Sequence, residues 1–327
     1  MQTSDTAQPL ERSGFRRILV TGANGFLGHH ITHALTAAFP SAVIIPVGRK
    51  AYDLLEPGIP QRMLRDIQPD CVIHLAAKSG GITDNRKRPA DYFYENLAMN
   101  TAVFHESYKA GVRKFLTLMG GCSYPAKAIS PIGEEQMWNG FPQEESAGYS
   151  VAKKMLLVQS WAYRRQYGFN SVVLIPGNVY GEWDNFNLTQ AHVIPALIRK
   201  YLEAKERGAA EVVAFGTGRP TRDFVYAGDV AAVIPWFLAN YNSSDPVNIS
   251  TGTRVSIREL TDTIRSATGY IGKITWDTSQ PDGQMDKIFD PDRLNRLGLS
   301  CRTTLESGIR KTLAWFLSAR ESSEVRL

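Results

Sequence analysis

The sequence is short of several things at once. Only three of its 327 residues are cysteines, Cys71, Cys122 and Cys301, odd in number and far apart. They form neither a disulfide framework nor a zinc-binding spacing, which suits a reducing compartment. No apolar run reaches the roughly 18 residues that a membrane-spanning helix needs. The opening stretch, MQTSDTAQPLERSGFRR, has no apolar core, so it reads as a flexible polar leader over 1–15 and not as a secretory signal. No segment repeats at a fixed period, which excludes a solenoid or propeller. A dense basic stripe is missing too. Thirty-seven Lys and Arg face 32 Asp and Glu, a net +5, yet the longest basic cluster is Arg86-Lys87-Arg88, and Pro89 follows it at once. A nucleic-acid footprint interleaves many more cations with aromatics. The expectation is a cytoplasmic protein that binds neither nucleic acid nor membrane, mildly basic as suits anionic nucleotides.

What is present is alternation. Short β-branched runs, Arg17–Val20, Ala42–Val47, Cys71–Leu75, Lys114–Leu118, Ser171–Ile175 and Glu211–Phe215, are separated by helical patterns near 90–110, 149–167, 192–207, 229–240, 256–268 and 304–319. Leu27, Ile31 and Leu35 place a further helix after the first run. Continuous apolar strands between helices predict an α/β, doubly wound parallel sheet of Rossmann type, covered on both faces. After about residue 176 glycine and proline become frequent and the alternation weakens. The predicted division is therefore a dinucleotide-binding domain over 16–176, with later segments returning to it, and a smaller, mixed substrate lobe over 177–327.

Directly after the first strand comes Thr21-Gly22-Ala23-Asn24-Gly25-Phe26-Leu27-Gly28. Three glycines between a strand and an amphipathic helix permit a tight turn, close approach to a pyrophosphate and close helix packing. The helix N-terminus adds free N–H groups for the phosphates. At the end of the second strand, Val47-Gly48-Arg49-Lys50 carries no acid to take the ribose hydroxyls of NAD. Arg49 and Lys50 instead suit the extra phosphate of NADP, so NADPH is expected over NAD; as plain loop cations they would say nothing. Asp53 is better placed for the adenine.

Tyr149 and Lys153 stand four apart at the start of a helix and share a face. An ammonium beside a phenol lowers the phenol pKa, so the pair is expected to donate a proton to a carbonyl receiving hydride. Together with the glycine loop, with Leu75-Ala76-Ala77, Asn178-Val-Tyr180-Gly181 and Arg222-Asp-Phe-Val-Tyr-Ala-Gly-Asp229, these residues resemble the extended short-chain dehydrogenase/reductase superfamily from about 16 to 320. His74–Gly81, Asp184-Asn-Phe186, Ala191–Leu197 and Pro281-Asp-Gly283 are most similar to the GDP-L-fucose synthase family, the 3,5-epimerase/4-reductases of GDP-4-keto-6-deoxy-mannose.

The resemblance implies several roles. Leu54, Leu75, Ala76, Ala77, Pro176, Asn178 and Val179 would join the glycine loop, Tyr149 and Lys153 around NADPH. Cys122 and His192 would be the acid/base pair that inverts C3 and C5, whose protons the C4 ketone acidifies; cysteine and histidine are residue types whose ordinary pKa values suit proton transfer near neutrality. Taken singly, Cys122 reads as a small core residue and His192 as a helix-terminal one. Arg199, Lys200, Arg222 and Lys287 are candidates for the sugar-nucleotide diphosphate, with Asn178 shaping the substrate loop. Trp183 and Phe215 read as packing, or as platforms for a base or sugar. Gln284-Met-Asp286 lacks the basic character common there in the family. The resemblance also implies a homodimer through the helices near 90–110 and 149–167. Epimerases or reductases of related nucleotide sugars such as GDP-heptoses, and a non-catalytic NADP(H)-binding sensor, are the competing readings.

One departure stands out. The superfamily usually places Ser or Thr four residues before the tyrosine of the strand-end motif; counting back from Tyr124 gives Gly120. Ser123 is near, but an extended backbone would turn it to the opposite face from 120 and 122. Three outcomes are open: another hydroxyl substitutes, the extra space admits a bulkier substrate, or reduction is weakened; the expectation is that epimerisation is better preserved than hydride transfer.

Overall fold

A computed structural model describes residues 14–188, 190–279, 282–322 and 325. Most of the predicted leader and Pro281 of the Pro281-Asp-Gly283 motif lie outside the described residues. In chain order the strands are β1 (Arg17–Thr21), β2 (Val43–Val47), β3 (Cys71–His74), β4 (Lys114–Leu118), β5 (Ser171–Pro176), β6 (Asn178–Tyr180), β7 (Glu211–Phe215), β8 (Thr221–Arg222), β9 (Phe224–Tyr226), β10 (Val247–Ile249), β11 (Val255–Ser256), β12 (Lys273–Asp277) and β13 (Asp286–Lys287). The helices are α1 (Phe26–Ala38), α2 (Ile59–Ile67), α3 (Ile82–Lys87), α4 (Pro89–Lys109), α5 (Ala147–Tyr167), α6 (Val193–Glu206), α7 (Ala227–Asn240), α8 (Ile257–Thr268), α9 (Asp292–Arg296) and α10 (Leu305–Glu321).

Six strands form one parallel sheet in the order β2-β1-β3-β4-β5-β10. Its strands are apolar on both faces because both faces are covered. Along β1, Ile18 and Val20 pack with Ile31 and Leu35 of α1 and with Ile234 and Phe237 of α7, whereas Leu19 packs with Met63 of α2, Val103 and Phe104 of α4 and Leu156 of α5. The period-two alternation of a strand thus feeds two separate cores. A third core, with Tyr180, Phe186, Ile198, Tyr201, Leu260, Ile264 and Phe316, is built from residues after 179. There β7 pairs with β12 alone, in a two-stranded sheet apart from the large one.

The strand order reverses between β1 and β3. In open α/β sheets the ligand crevice lies outside the carboxyl ends of the strands at such a switch point. The segments that leave those ends, 21–28 and 74–81, are the ones that carry the glycine loop and the His74–Gly81 motif.

Candidate active site

Sterics alone define the first wall of the crevice. Gly22 has φ of +69°, and a Cβ there would stand 2.6 Å from the Ala76 backbone nitrogen, so the two loops cross too closely for any side chain. A Cβ on Gly28 would collide with the carbonyl oxygens of Gly22 and Ala23, and one on Gly48 would lie 2.5 Å from Asn24 Nδ2. Bare backbone at these points brings the start of α1 next to the end of β3, which is the cradle a pyrophosphate requires. Thr21 Oγ1 and His74 Nδ1 lock the floor at 2.8 Å, and His74 Nε2 meets Asn100 Oδ1 at 3.1 Å. Burial, with the Lys153 charge nearby, lowers the His74 pKa to about 3, so this imidazole is a neutral strut.

Past β2, Arg49 and Lys50 are exposed, and Arg49 Nε pairs with Asp53 Oδ2 at 2.9 Å. Asp53 therefore holds the arginine that the sequence points at an adenosine phosphate. Leu54 is buried in the core beside it, and Leu75, Ala76 and Ala77 line the end of β3. Pro176 ends β5, and Val179 lies in the next strand. Asn178 is fixed by its own Nδ2, which donates to the Asp223 carbonyl at 2.8 Å.

The candidate catalytic groups meet around Gly120. A Cβ at this position would stand 3.1 Å from Cys122 Sγ, 3.5 Å from Tyr149 Cε1 and 3.8 Å from Tyr149 Oη. The thiol and the phenol therefore flank one backbone position, with Lys153 buried one turn further along α5. Burial lowers the Lys153 pKa to about 8, against an upward pull from Cys122. Lys287 is likewise pushed down by burial, pulled up by Cys122 and pushed down by Arg222.

Two expectations need correction. Lys153 does not depress the Tyr149 pKa; burial raises it, and Cys122 and Tyr92 raise it further. Tyr149 is a neutral phenol at working pH, a proton donor by default. Residues 121–123 are also not extended but form a 3-10 turn. Ser123 still fails to reach the site, for a different reason: it is fully buried and its Oγ has no partner.

The space beside Gly120 is narrower than a missing side chain suggests, because Cys122 Sγ borders it.

His192 sits immediately before the first turn of α6, its side chain 63% exposed. Gln190, just before it in the chain, comes up against the start of α3, since a Cβ on Gly81 would stand 3.2 Å from the Gln190 carbonyl oxygen. His192 Nδ1 lies 3.8 Å from Oδ1 of Asp184, a carboxylate only 3% exposed. This partner raises the His192 pKa. Asp184 falls in a quoted motif, but an eight-residue separation through a loop carries no spacing rule that would pair the two.

Among the diphosphate candidates, Arg199 is engaged by Glu203 at 2.7 Å and by the Phe186 carbonyl at 3.0 Å. Lys200 Nζ hangs 4.6 Å over the exposed ring of Phe215, and burial lowers its pKa. Arg222 donates through Nη1 to the Thr221 carbonyl, is half-buried, and faces Asp286. Trp183 is packing: it stacks on His29 with ring centroids 5.1 Å apart and touches His30 and Trp315, with φ of +62°. Its neighbour Glu182 accepts from Tyr226 Oη at 2.8 Å and lies 3.6 Å from His30 Nε2. The loop before Asp184 is thus clamped to α1. No helix among the described residues is long and apolar enough to cross a membrane, and no group of His, Cys, Asp and Glu among them could hold a metal.

Comparison with known proteins agrees with this fold. The model of the NAD dependent epimerase/dehydratase family matches residues 18–250. A GDP-L-fucose synthase of Sinorhizobium fredii is 37% identical over 303 residues, 93% of this chain and 96% of that one. A GDP-L-fucose synthetase of Naegleria fowleri, solved bound to NADP, superposes with a TM-score of 0.88 at 31% identity over 95% of both chains. A GDP-mannoheptose C4 reductase of Campylobacter jejuni, solved with NADP, gives 0.83 at 26% identity, covering 92% of this chain and 98% of that one. The chain belongs to the NAD dependent epimerase/dehydratase family, where GDP-L-fucose synthases are among its relatives.

Proposed function

We propose that this chain is an NADPH-dependent epimerase/reductase of a GDP-linked 4-keto-6-deoxy-hexose, in which epimerisation is the better-preserved half. The observation that carries the reading is the meeting of Cys122 and Tyr149 at Gly120, with Lys153 behind them. Similarity to synthases that bear GDP-sugar names and to structures solved with NADP supports the substrate and cofactor classes.

The glycine cradle, Arg49 and Lys50 would hold NADPH, which when bound supplies hydride for the C4 carbonyl. Lys200, Arg222 and Lys287 would hold the diphosphate. Either Cys122 or His192 removes the proton at C3 or C5, and its electron pair delocalises onto the C4 oxygen. The neutral Tyr149 hydroxyl donates to that oxygen and stabilises the enolate. The other member of the pair returns a proton from the opposite face, which inverts the centre. In reduction Tyr149 gives its proton to the same oxygen. Gly120 withholds the second hydroxyl donor there, which weakens reduction most. The chain would act as a homodimer: α4 and α5 pack on each other and leave Phe93, Tyr94, Val158 and Trp161 exposed. Incubation with a panel of nucleotide 4-keto-sugars in deuterated water, with products identified by NMR, tests the reading. Turnover of none of them, with NADPH still bound, would favour a sensor.

A further inference from the structure

We infer that Asp184 is the positioning residue of His192, its buried carboxylate holding the imidazole by Nδ1 so that Nε2 remains free for the substrate. This rests on the catalytic reading of His192 given above. A ring 63% exposed at the mouth of a helix would otherwise sample several rotamers. Asp184 is 3% exposed, and its Oδ1 lies 3.8 Å from Nδ1 while accepting from the Asn185 backbone N–H at 2.7 Å. The other oxygen, Oδ2, is buried without a partner. A buried carboxylate with unused acceptor capacity is costly unless a cation or donor faces it. Among the described residues, Asp184 is the one charged group bearing on His192, and Nε2 has no hydrogen-bond partner. The carboxylate cannot drift, because the loop that carries it is clamped through Glu182 and Trp183 to α1. At 3.8 Å the pair stands just outside hydrogen-bond reach, and a small rotation of the exposed ring would bring Nδ1–H onto the carboxylate, fixing both tautomer and orientation of Nε2.

The test is a histidine titration by NMR on protein carrying ¹³C-labelled histidine, with His192→Asn identifying the signal by its disappearance. Asp184→Asn retains an oxygen for the Asn185 N–H and removes the charge. It should lower the His192 midpoint by about 1 pH unit, the low end of the range for a partner within 4–6 Å because the ring is exposed. Asp184→Glu should bring the midpoint back toward wild type. A midpoint unmoved by Asp184→Asn overturns the proposal. If Asp184→Asn does not fold, Asp184→Glu alone decides: a midpoint lowered by a full unit despite the retained charge overturns it. Proton exchange at substrate C3 and C5 gives a second readout. The limb of the pH–rate profile that belongs to His192 should move to lower pH by the same amount, whether the ring acts as acid or base. A uniform fall at every pH, with the limb in place, marks Asp184 as merely structural and overturns the proposal. Wild-type exchange by His192→Asn would remove the catalytic reading of the ring, while the titration would still decide what Asp184 does.

Discussion

Replacing Gly120 by serine restores the hydroxyl that the fold leaves out. The backbone accepts it without strain, since φ and ψ are −79° and 145°, open to any residue. The new Cβ would lie 3.8 Å from Tyr149 Oη, so its hydroxyl, about 1.4 Å further out, can flank the same carbonyl oxygen as the phenol. The cost is the 3.1 Å approach to Cys122 Sγ, which must yield by a few tenths of an ångström. Overpacking of this size costs about 1 kcal/mol, roughly fivefold. Deleting one oxyanion donor costs about 10²–10³ in rate, so adding one and deducting the strain leaves a gain of roughly twenty- to two-hundredfold in hydride transfer. Proton exchange should stay level or fall, because the displaced group is the thiol of the proposed acid/base pair. The assay is single-turnover NADPH oxidation with GDP-4-keto-6-deoxy-mannose, beside deuterium exchange at C3 and C5 without NADPH. An unchanged or abolished hydride step in folded Gly120→Ser protein would refute the reasoning and point to a replacement donor.

Four further outcomes are expected. NADPH should bind at least roughly tenfold tighter than NADH, and Arg49→Ala should erase most of that gap; equal affinities in wild type by fluorescence titration would sink the cofactor assignment. Cys122→Ser and His192→Asn should each slow exchange of the C3 and C5 protons while leaving NADPH affinity nearly intact, and wild-type exchange in both would remove their roles. The Lys153 pKa of about 8 lies below the ~10.4 of an unfolded chain, so between these values the unfolded state binds more protons and stability rises with pH. Below pH 8 the buried ammonium costs up to about 3 kcal/mol, so Lys153→Met should raise Tm at pH 7, lose that advantage near pH 11 and stop hydride transfer; a lower Tm at pH 7 contradicts the burial argument. Trp161→Glu, at a side chain 54% exposed on α5, should yield monomers by light scattering, and a wild-type monomer would remove the homodimer.

The large sheet was legible in sequence because burial on both faces writes strands as unbroken apolar runs; Lys114–Leu118 is a strand with those very bounds. Val247–Ile249 was not, since three residues are too few to establish a period, although they form an edge of the same sheet. Glu211–Phe215 was read as a strand, but its partner, β12, could not be inferred from local pattern. The site followed the same division. Gly22, Gly25, Gly28, Tyr149 and Lys153 announce themselves by spacing within one turn or one helix. The direction of the Tyr149 pKa depends on burial by the rest of the fold, and Asp184 meets His192 across a loop. Neither is a local property.

The clamp of Trp183 on His29 and His30 makes the substrate loop a poor module for transplantation. A tryptophan held at φ +62° stores roughly 1 kcal/mol or more, and it keeps that geometry because α1 supplies the stacking face. A designer who grafts residues 181–192 from a relative to change the accepted sugar would be importing half of a joint. Without the matching residues at 29 and 30, the graft would relax, and the carboxylate and imidazole it carries would lose their register with the cofactor cradle. On the proposed reading, sugar preference would be inherited partly from the first helix, through residues that directly follow Gly28, the last glycine of the nucleotide loop.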